Sequence, residues 1–472
     1  FAWRQLTSMR TALILLLLVG IAAIPGSLVP QRTQNPLQVG QYFKDSPDAA
    51  RWMDRFYLFD VYGSPWFSAI YILLFISLIG CVLPRTIEHF KAARALPPAT
   101  PKNLARLEHH ESWSPQGNEL ELARAWFKSK RFRVLEVNGS ISAEKGFTRE
   151  TGNLFFHLAL ILVLLGISFS SLFGMRGEAI VNVGERFVNT ATSYDTLTYG
   201  KLFRDSNIPA FMVTADKFVA QYNLETSAPE DYTLEVSLLR EGATQIEKKT
   251  IKVNSPMTIG TTRVYLQANG YAPVVTVRDS KGDVAFQGPV TFLPQDANLR
   301  SIGAIKVPDA DPQIGFLGSF LPTYVRDGAN GGASAFPKAL NPRLLLSVWS
   351  GDLGLDSGIP QSVYRIDTTD MTQIGLKGLK PGESFAYEGG SITFEGYVQW
   401  VNLNFVADPG KHLALLGGIV AILGLLASLF TRRRRIWIRV GDQVEVAGLA
   451  KNAAPGLEVE MQGFVKMLKG EK

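Results

Sequence analysis

Residues 146–173 read GFTRETGNLFFHLALILVLLGISFSSLF, and this stretch decides the architecture. From Leu154 to Phe173 it stays apolar over the length a helix needs to cross a hydrocarbon core about 30 Å thick. The run carries a single ionisable side chain, His157, one turn inside its polar doorstep. A buried core helix seldom runs so long, so the segment reads as a membrane span. Three further runs match it: 11–29, 65–83 and 412–430. With 472 residues, 46% hydrophobic, and a mean hydropathy of +0.08, the chain is too polar for a bundle made mostly of spans. A few spans and a large water-exposed mass are implied. The first run is too long and ends too poorly in IPGSLVP to be a cleaved signal peptide. Its Pro25–Gly26 pair is expected to kink or end the helix. The chain begins at Phe1, so native sequence is expected before it.

Basic residues orient the spans. The connector 84–153 holds twelve Lys and Arg, and TRRRRIWIR follows the last span, whereas the loop 30–64 holds four. Residues 1–10, 84–153 and 431–472 are therefore expected in the cytoplasm. The loop 30–64 and the long segment 174–410 are expected outside. Residues 174–410 carry 20 Lys and Arg against 25 Asp and Glu, in keeping with that assignment. The isoelectric point near 9.2 then reflects the cytoplasmic face and excludes a nucleic-acid surface as its cause.

The outer segment reads as β. YTLEVSLL, TRVYLQA and SITFEGYVQWVNLNFV alternate apolar and polar residues between Gly, Asp, Asn and Pro turns. A sandwich or two packed sheets is expected, with Pro308–Pro342 as a long loop or insertion. In the connector, NELELARAWFKS reads as an amphipathic helix and RFRVLEVNGSISAEKG as a hairpin turning at Asn138–Gly139. The tail after Arg435 reads as a short strand pair and a weak helix. The fold class is thus membrane α-helical with four transmembrane helices, a large extracytoplasmic all-β, sandwich-like domain and a small cytoplasmic α+β element.

The chemistry on offer is narrow. Cys81 is the one cysteine, so no internal disulfide and no CxxC exist. GxSxG, Walker A, HExxH and Gly-rich dinucleotide patterns are absent. The adjacent histidines of Glu108–Glu111 point apart, which does not suit one metal. His89, His109 and His110 are expected to be solvated. An ionisable group inside a span marks a functional site by default, which singles out His157. His412 opens the fourth span at the other surface. If the spans cross fully, most of a core about 30 Å thick separates the two rings, and they cannot share a metal. Trp66 and Trp400 are expected near the outer interface, where Trp is enriched.

GSLVPQ, FDVYGSPWF, CVLPR, RETGNLFFH, FGMRGE, IKVNSPM, ANGYAPVVTV, ADPG and RRRRIWIR occur in this order along the chain. Together they resemble the ResB family, also called CcsB, of System II cytochrome c biogenesis, over nearly the whole length. The resemblance implies a multi-pass subunit of a bacterial cytoplasmic or thylakoid membrane, paired with a ResC (CcsA) protein. Such a pair moves haem b outward and attaches it to apocytochrome c, with an extracytoplasmic thiol reductant. The partner's tryptophan-rich haem motif is absent here. The resemblance gives His157 the role of haem axial ligand, a role imidazole commonly takes. Arg149 then becomes a candidate for a haem propionate, with His412, Trp66 and Trp400 as further candidates near haem. No catalytic residue is implied in this chain alone. The residues also leave open a docking platform that binds no haem, or a transporter or sensor subunit.

Overall fold

The computed structural model describes residues 1–472 except 33, 327–331, 356–361, 451–454 and 472. It divides into two compact units, one of residues 1–169 with 410–472 and one of residues 170–409. Among the described residues, four helices are long and apolar enough to cross a membrane: Met9–Leu28, Pro65–Arg94, Thr148–Phe173 and Lys411–Phe430. Local chemistry sets their starts. The Ser8 and Ser64 hydroxyls accept the N–H groups of Thr11 and Phe67, and Pro65 occupies a first-turn position where no N–H is missed. Pro25 does not end the first helix, which runs to Leu28, because it removes only one bond close to the end. The second helix runs well beyond Leu83. It passes through Pro84 to Arg94, with Lys91 and Arg94 in the last turn, where cations suit the helix dipole.

Two short helices, Pro36–Asp45 and Pro47–Arg55, bridge the first two spans over a small core of Val39, Ala50 and Phe59. Gln31, only 4% exposed, ties this cap to the first span. Its amide donates to the Val29 and Leu58 carbonyls, and its oxygen accepts the Val61 N–H. Every polar valence used there is one that burial would otherwise penalise.

The third and fourth spans meet along a seam of small residues. A Cβ at Gly152 would lie 2.6 Å from the Gly424 carbonyl oxygen, one at Gly417 2.9 Å from that of Ala159, and one at Gly166 2.7 Å from the Ala414 nitrogen. These pairings run antiparallel and bring the two backbones into contact, as small residues permit in lipid.

Connector and tail build one α+β domain. Its five-stranded sheet has the order His109–Trp113, Val444–Ala450, Arg434–Val440, Ser140–Lys145, Arg133–Val137, every neighbour antiparallel. The hairpin turns as expected at Asn138 and Gly139, whose φ values of 48° and 72° fit a primed turn. Helices Glu119–Ser129 and Pro455–Lys469 share one core with the sheet through Phe127, Ile141, Ile436, Ile438 and Phe464. The tail is thus the centre of a domain whose edges come from the connector.

In residues 170–409 two strands of 18 residues, Thr262–Asp279 and Gly390–Ala407, pair along their length and anchor a seven-stranded sheet. One end shares a core with a four-stranded sheet, around Leu234, Val236, Leu403 and Phe405. The other shares a core with a five-stranded sheet, around Phe316, Phe320, Leu344 and Phe394. The unit is therefore two sandwiches on one long sheet. The Pro308–Pro342 segment is not a loop: Ile314–Leu321 is the central strand of the five-stranded sheet, and Tyr324–Val325 pairs with Ala333–Ser334. Its composition is misleading because Gly315 and Gly318 make room for Ile366, Leu353 and the Phe292 ring. Residues 327–331 of that stretch lie outside the described residues.

Candidate functional site

His157 sits in the third turn of the third span, partly exposed, and its Nδ1 lies 2.7 Å from the Asn153 carbonyl oxygen. A carbonyl only accepts, so Nδ1 carries a proton, and in the neutral ring Nε2 keeps its lone pair. The helix geometry settles where that nitrogen looks. Gly152, Ala159 and Gly166 form the seam, and at 100° per residue His157 lies roughly 150° around the helix from them. The fourth span is thus behind the ring.

On the His157 side the third span is held by the second at two points. Glu150, His157, Leu164 and Ser168 recur at intervals of seven or four and make one stripe. Above His157, the Tyr71 hydroxyl donates to the Leu164 carbonyl (2.7 Å), and Ser168 donates to the Tyr71 oxygen (3.3 Å). Below it, His89 Nε2 lies 2.9 Å from the Thr151 hydroxyl, which itself donates to the Phe147 carbonyl, so the imidazole is the donor. His89 Nδ1 is 3.7 Å from Glu150. His89 is 9% exposed and not solvated as expected, because its helix continues past Pro84 and packs it against Phe147 and Thr151.

This lower contact belongs to a charged network. Arg433 joins Glu144 at 2.6 Å to Glu150 at 2.8 Å and lies over the Phe147 ring, and Arg435 also reaches Glu144 at 2.8 Å. Burial pushes the Glu144 carboxyl up, but the hydrogen bonds and charges of the two arginines outweigh it and leave the group below its ordinary value. Glu144 is 3% exposed, so the pairing is little screened. A depressed carboxyl contributes stability above its unfolded value near 4.3, lost as pH falls through the lower folded value. Thermal melts from neutral to about pH 3 are expected to show this loss in the α+β domain. Glu144→Gln should destabilise by about 3 kcal/mol at neutral pH and flatten the acid limb. An unchanged acid limb in the variant would assign it to other carboxyls.

The remaining candidates are scattered. Arg149, in the first turn of the same helix, is half-buried and forms no ion pair among the described residues. His412 is exposed in the first turn of the fourth span. The seam sets Gly166 against Gly410 and Ala414, so His412 lies only about 13 Å from His157 along the axis at 1.5 Å per residue. That is less than half the separation expected from full crossings, because the third helix continues beyond the level where the fourth begins. The two rings still look away from the seam, and one metal cannot join them. Trp66 is half-buried at the start of the second span, its indole N–H on the Phe56 carbonyl at 3.1 Å.

Trp400 is not at an interface. It is 2% exposed, and its indole N–H lies 3.1 Å from both the Tyr271 and Phe292 carbonyls. A Cβ at Gly270 would come 2.4 Å from its ring, so the glycine is what admits it. No face of this ring remains for a ligand.

Among the described residues, no cluster of three or more His, Cys, Asp or Glu is placed to hold a metal ion. The roles of Tyr71, Glu150 and Arg433, and the burial of His89, were not legible in the sequence. Tyr71 alone left a signal there, as a hydroxyl within an apolar run.

The chain is 23% identical to a Cytochrome c biogenesis protein CcsB of Microcystis aeruginosa, over 99% of this chain and 95% of that one. It is 23% identical to the protein of that name from Prochlorococcus marinus, over 98% and 97%, and 22% identical to that of Gloeobacter violaceus, over 98% and 90%. A family model, that of the ResB-like family, matches residues 9–462. With the match spanning all four spans, the large β unit and most of the α+β domain, the chain belongs to the ResB-like family.

Proposed function

We propose that this chain is a cytochrome c biogenesis subunit that takes haem as cargo at His157, on the way to attachment to apocytochrome c. The observation that carries the reading is the Asn153 bond to Nδ1, which in the neutral ring turns the Nε2 lone pair to a face the fourth span does not cover. His157 would supply one ligand to the haem iron; no other histidine of this chain lies on that stripe, so a second ligand would come from a ResC-type membrane partner. Haem bound there brings the iron that the imidazole holds and the vinyl groups that later react with substrate thiols. The chain's own part is to hold and orient. Arg149, in the first turn of that helix, has no acidic partner among the described residues, which suits it to a haem propionate, whereas Arg433 is engaged by two glutamates.

The basic connector and tail support a reading with the α+β domain in the cytoplasm and residues 174–410 outside, in a bacterial cytoplasmic or thylakoid membrane. The shared sheet supports this reading, since it requires both segments on one side. The β unit would then present apocytochrome or a thiol reductant to the partner, and thioether formation itself is not assigned to any residue of this chain.

The test is the haem spectrum of the complex with its ResC-type partner, wild type against His157→Ala. Haem is expected to fall by about tenfold or more, and added imidazole to restore it. Unchanged haem in an assembled variant complex would leave this chain as the docking platform alone.

A further inference from the structure

The cap between the first two spans exposes more aromatic surface than its own fold uses. Its core takes Val39, Ala50 and Phe59 on one side. On the other, Trp52 is 61% exposed, Phe56 57%, Tyr62 47% and Tyr57 45%. These rings form a connected belt. Tyr62 lies against Gly26, where a Cβ would come 2.8 Å from its ring, and it meets Phe67 edge-on at 5.3 Å. Phe67 touches Trp66 at 6.3 Å, the Trp66 indole bonds the Phe56 carbonyl, and Phe56 stacks on Trp52 at 5.9 Å. The belt thus starts near the end of the first span, takes in the first turn of the second, and ends on the helix Pro47–Arg55.

We infer that this belt seats the cap in the headgroup region of the bilayer, so that Pro47–Arg55 lies on the membrane as an interfacial helix. Continuity argues for lipid as the occupant: the belt joins two helices whose exposed Ile21, Ile24, Leu28 and Ile72 are themselves lipid-facing in a membrane protein. The chemistry agrees with that depth. Trp and Tyr favour the level where a ring is in hydrocarbon and its polar edge is wet. Arg55 lies over the Trp52 ring at 5.8 Å, and the exposed Arg51 pairs with the exposed Asp48 and bonds the Pro47 carbonyl on the same helix. A helix whose Trp52, stacked on Phe56 just past its end, is flanked by Arg51 and Arg55 is what an interfacial element needs. Exposed apolar area of this kind is otherwise costly in water.

The sole cysteine makes the test direct. Cys81 donates to the Thr7 carbonyl, a bond serine can keep, so Cys81→Ser is the background. Spin labels are placed through Trp52→Cys, Phe56→Cys and, as an aqueous control in an exposed turn of the β unit, Lys281→Cys. The full chain with its partner is studied in nanodiscs of phosphatidylethanolamine and phosphatidylglycerol. Labels at 52 and 56 are expected to collide with oxygen in preference to a water-soluble nickel chelate, several-fold more than the label at 281. Nickel accessibility equal to that at 281 would overturn the inference in favour of an aqueous surface. Immobile labels shielded from both reagents would overturn it in favour of a protein partner. Should a labelled variant fail to assemble, quenching by brominated lipid answers instead. Loss of a quenchable component in Trp52→Phe supports the seat, and unchanged quenching refutes it.

Discussion

Deleting residues 431–472 is expected to unfold residues 96–145 as well. The tail supplies the two inner strands of the sheet next to His109–Trp113, so without it that strand has no neighbour, and the hairpin 133–145 stands alone. An isolated hairpin is marginal in water. The shared core would lose Ile436, Ile438, Val444, Val446, Leu457, Met461, Phe464, Val465 and Leu468. At about 1.5–3 kcal/mol for each buried side chain, the loss exceeds the roughly 5–15 kcal/mol that a whole domain retains. Limited proteolysis of membranes reads the outcome: the truncated chain should be cut between 96 and 145 under conditions that spare the full chain. Equal protection would mean that the connector folds alone. Deleting only 455–472 should be milder, since it leaves the sheet intact and uncovers one face.

The second large effect is expected at the glycine seam. A Cβ on Gly424 would lie 2.7 Å from the Gly152 carbonyl oxygen and from the Phe156 nitrogen, both backbone atoms that no rotamer change can move. Gly424→Ala should cost about 1–3 kcal/mol through overpacking. Gly424→Leu should prevent the third and fourth spans from meeting, and with them the assembled protein. Gly418, one residue from the seam position Gly417, has nothing within 4 Å of its would-be Cβ, so Gly418→Ala should be neutral or slightly stabilising. Thermal stability of the purified variants separates the three. Similar losses at 418 and 424 would mean that glycine flexibility, not the close approach, is what the helix requires. The seam also bears on the site, because it fixes which face His157 turns away from its neighbour.

What could be read beforehand follows the range of the interactions. The four apolar runs, the Asn138–Gly139 turn and the alternating strands are local patterns, and each reappears in the structure. His157 drew notice for a local reason too, a polar ring in an apolar run. The lone pair on Nε2 was not readable, since it depends on the Asn153 bond. Nor were the clasps around it: Tyr71 reaches Leu164 and His89 reaches Thr151 across more than sixty residues of chain. Trp400 shows the converse error. Enrichment of Trp at membrane surfaces suggested an interface, but Gly270 on the neighbouring strand opens a slot that buries the ring. The joint sheet of connector and tail was hidden for the same reason, because Lys145 and Arg434 are neighbours in space and far apart in sequence.

That last separation orders events during synthesis. Ribosomes release the hairpin early, while its partner strands emerge only after the large β unit and the fourth span have been made. Until then an unfinished sheet edge is exposed, of the kind that pairs wrongly or recruits quality control. Closure waits for the fourth span, because the two inner strands follow it in the chain. The five-stranded sheet is therefore closed by the last-made strands, and until they arrive residues 96–145 lack the core they share with the tail.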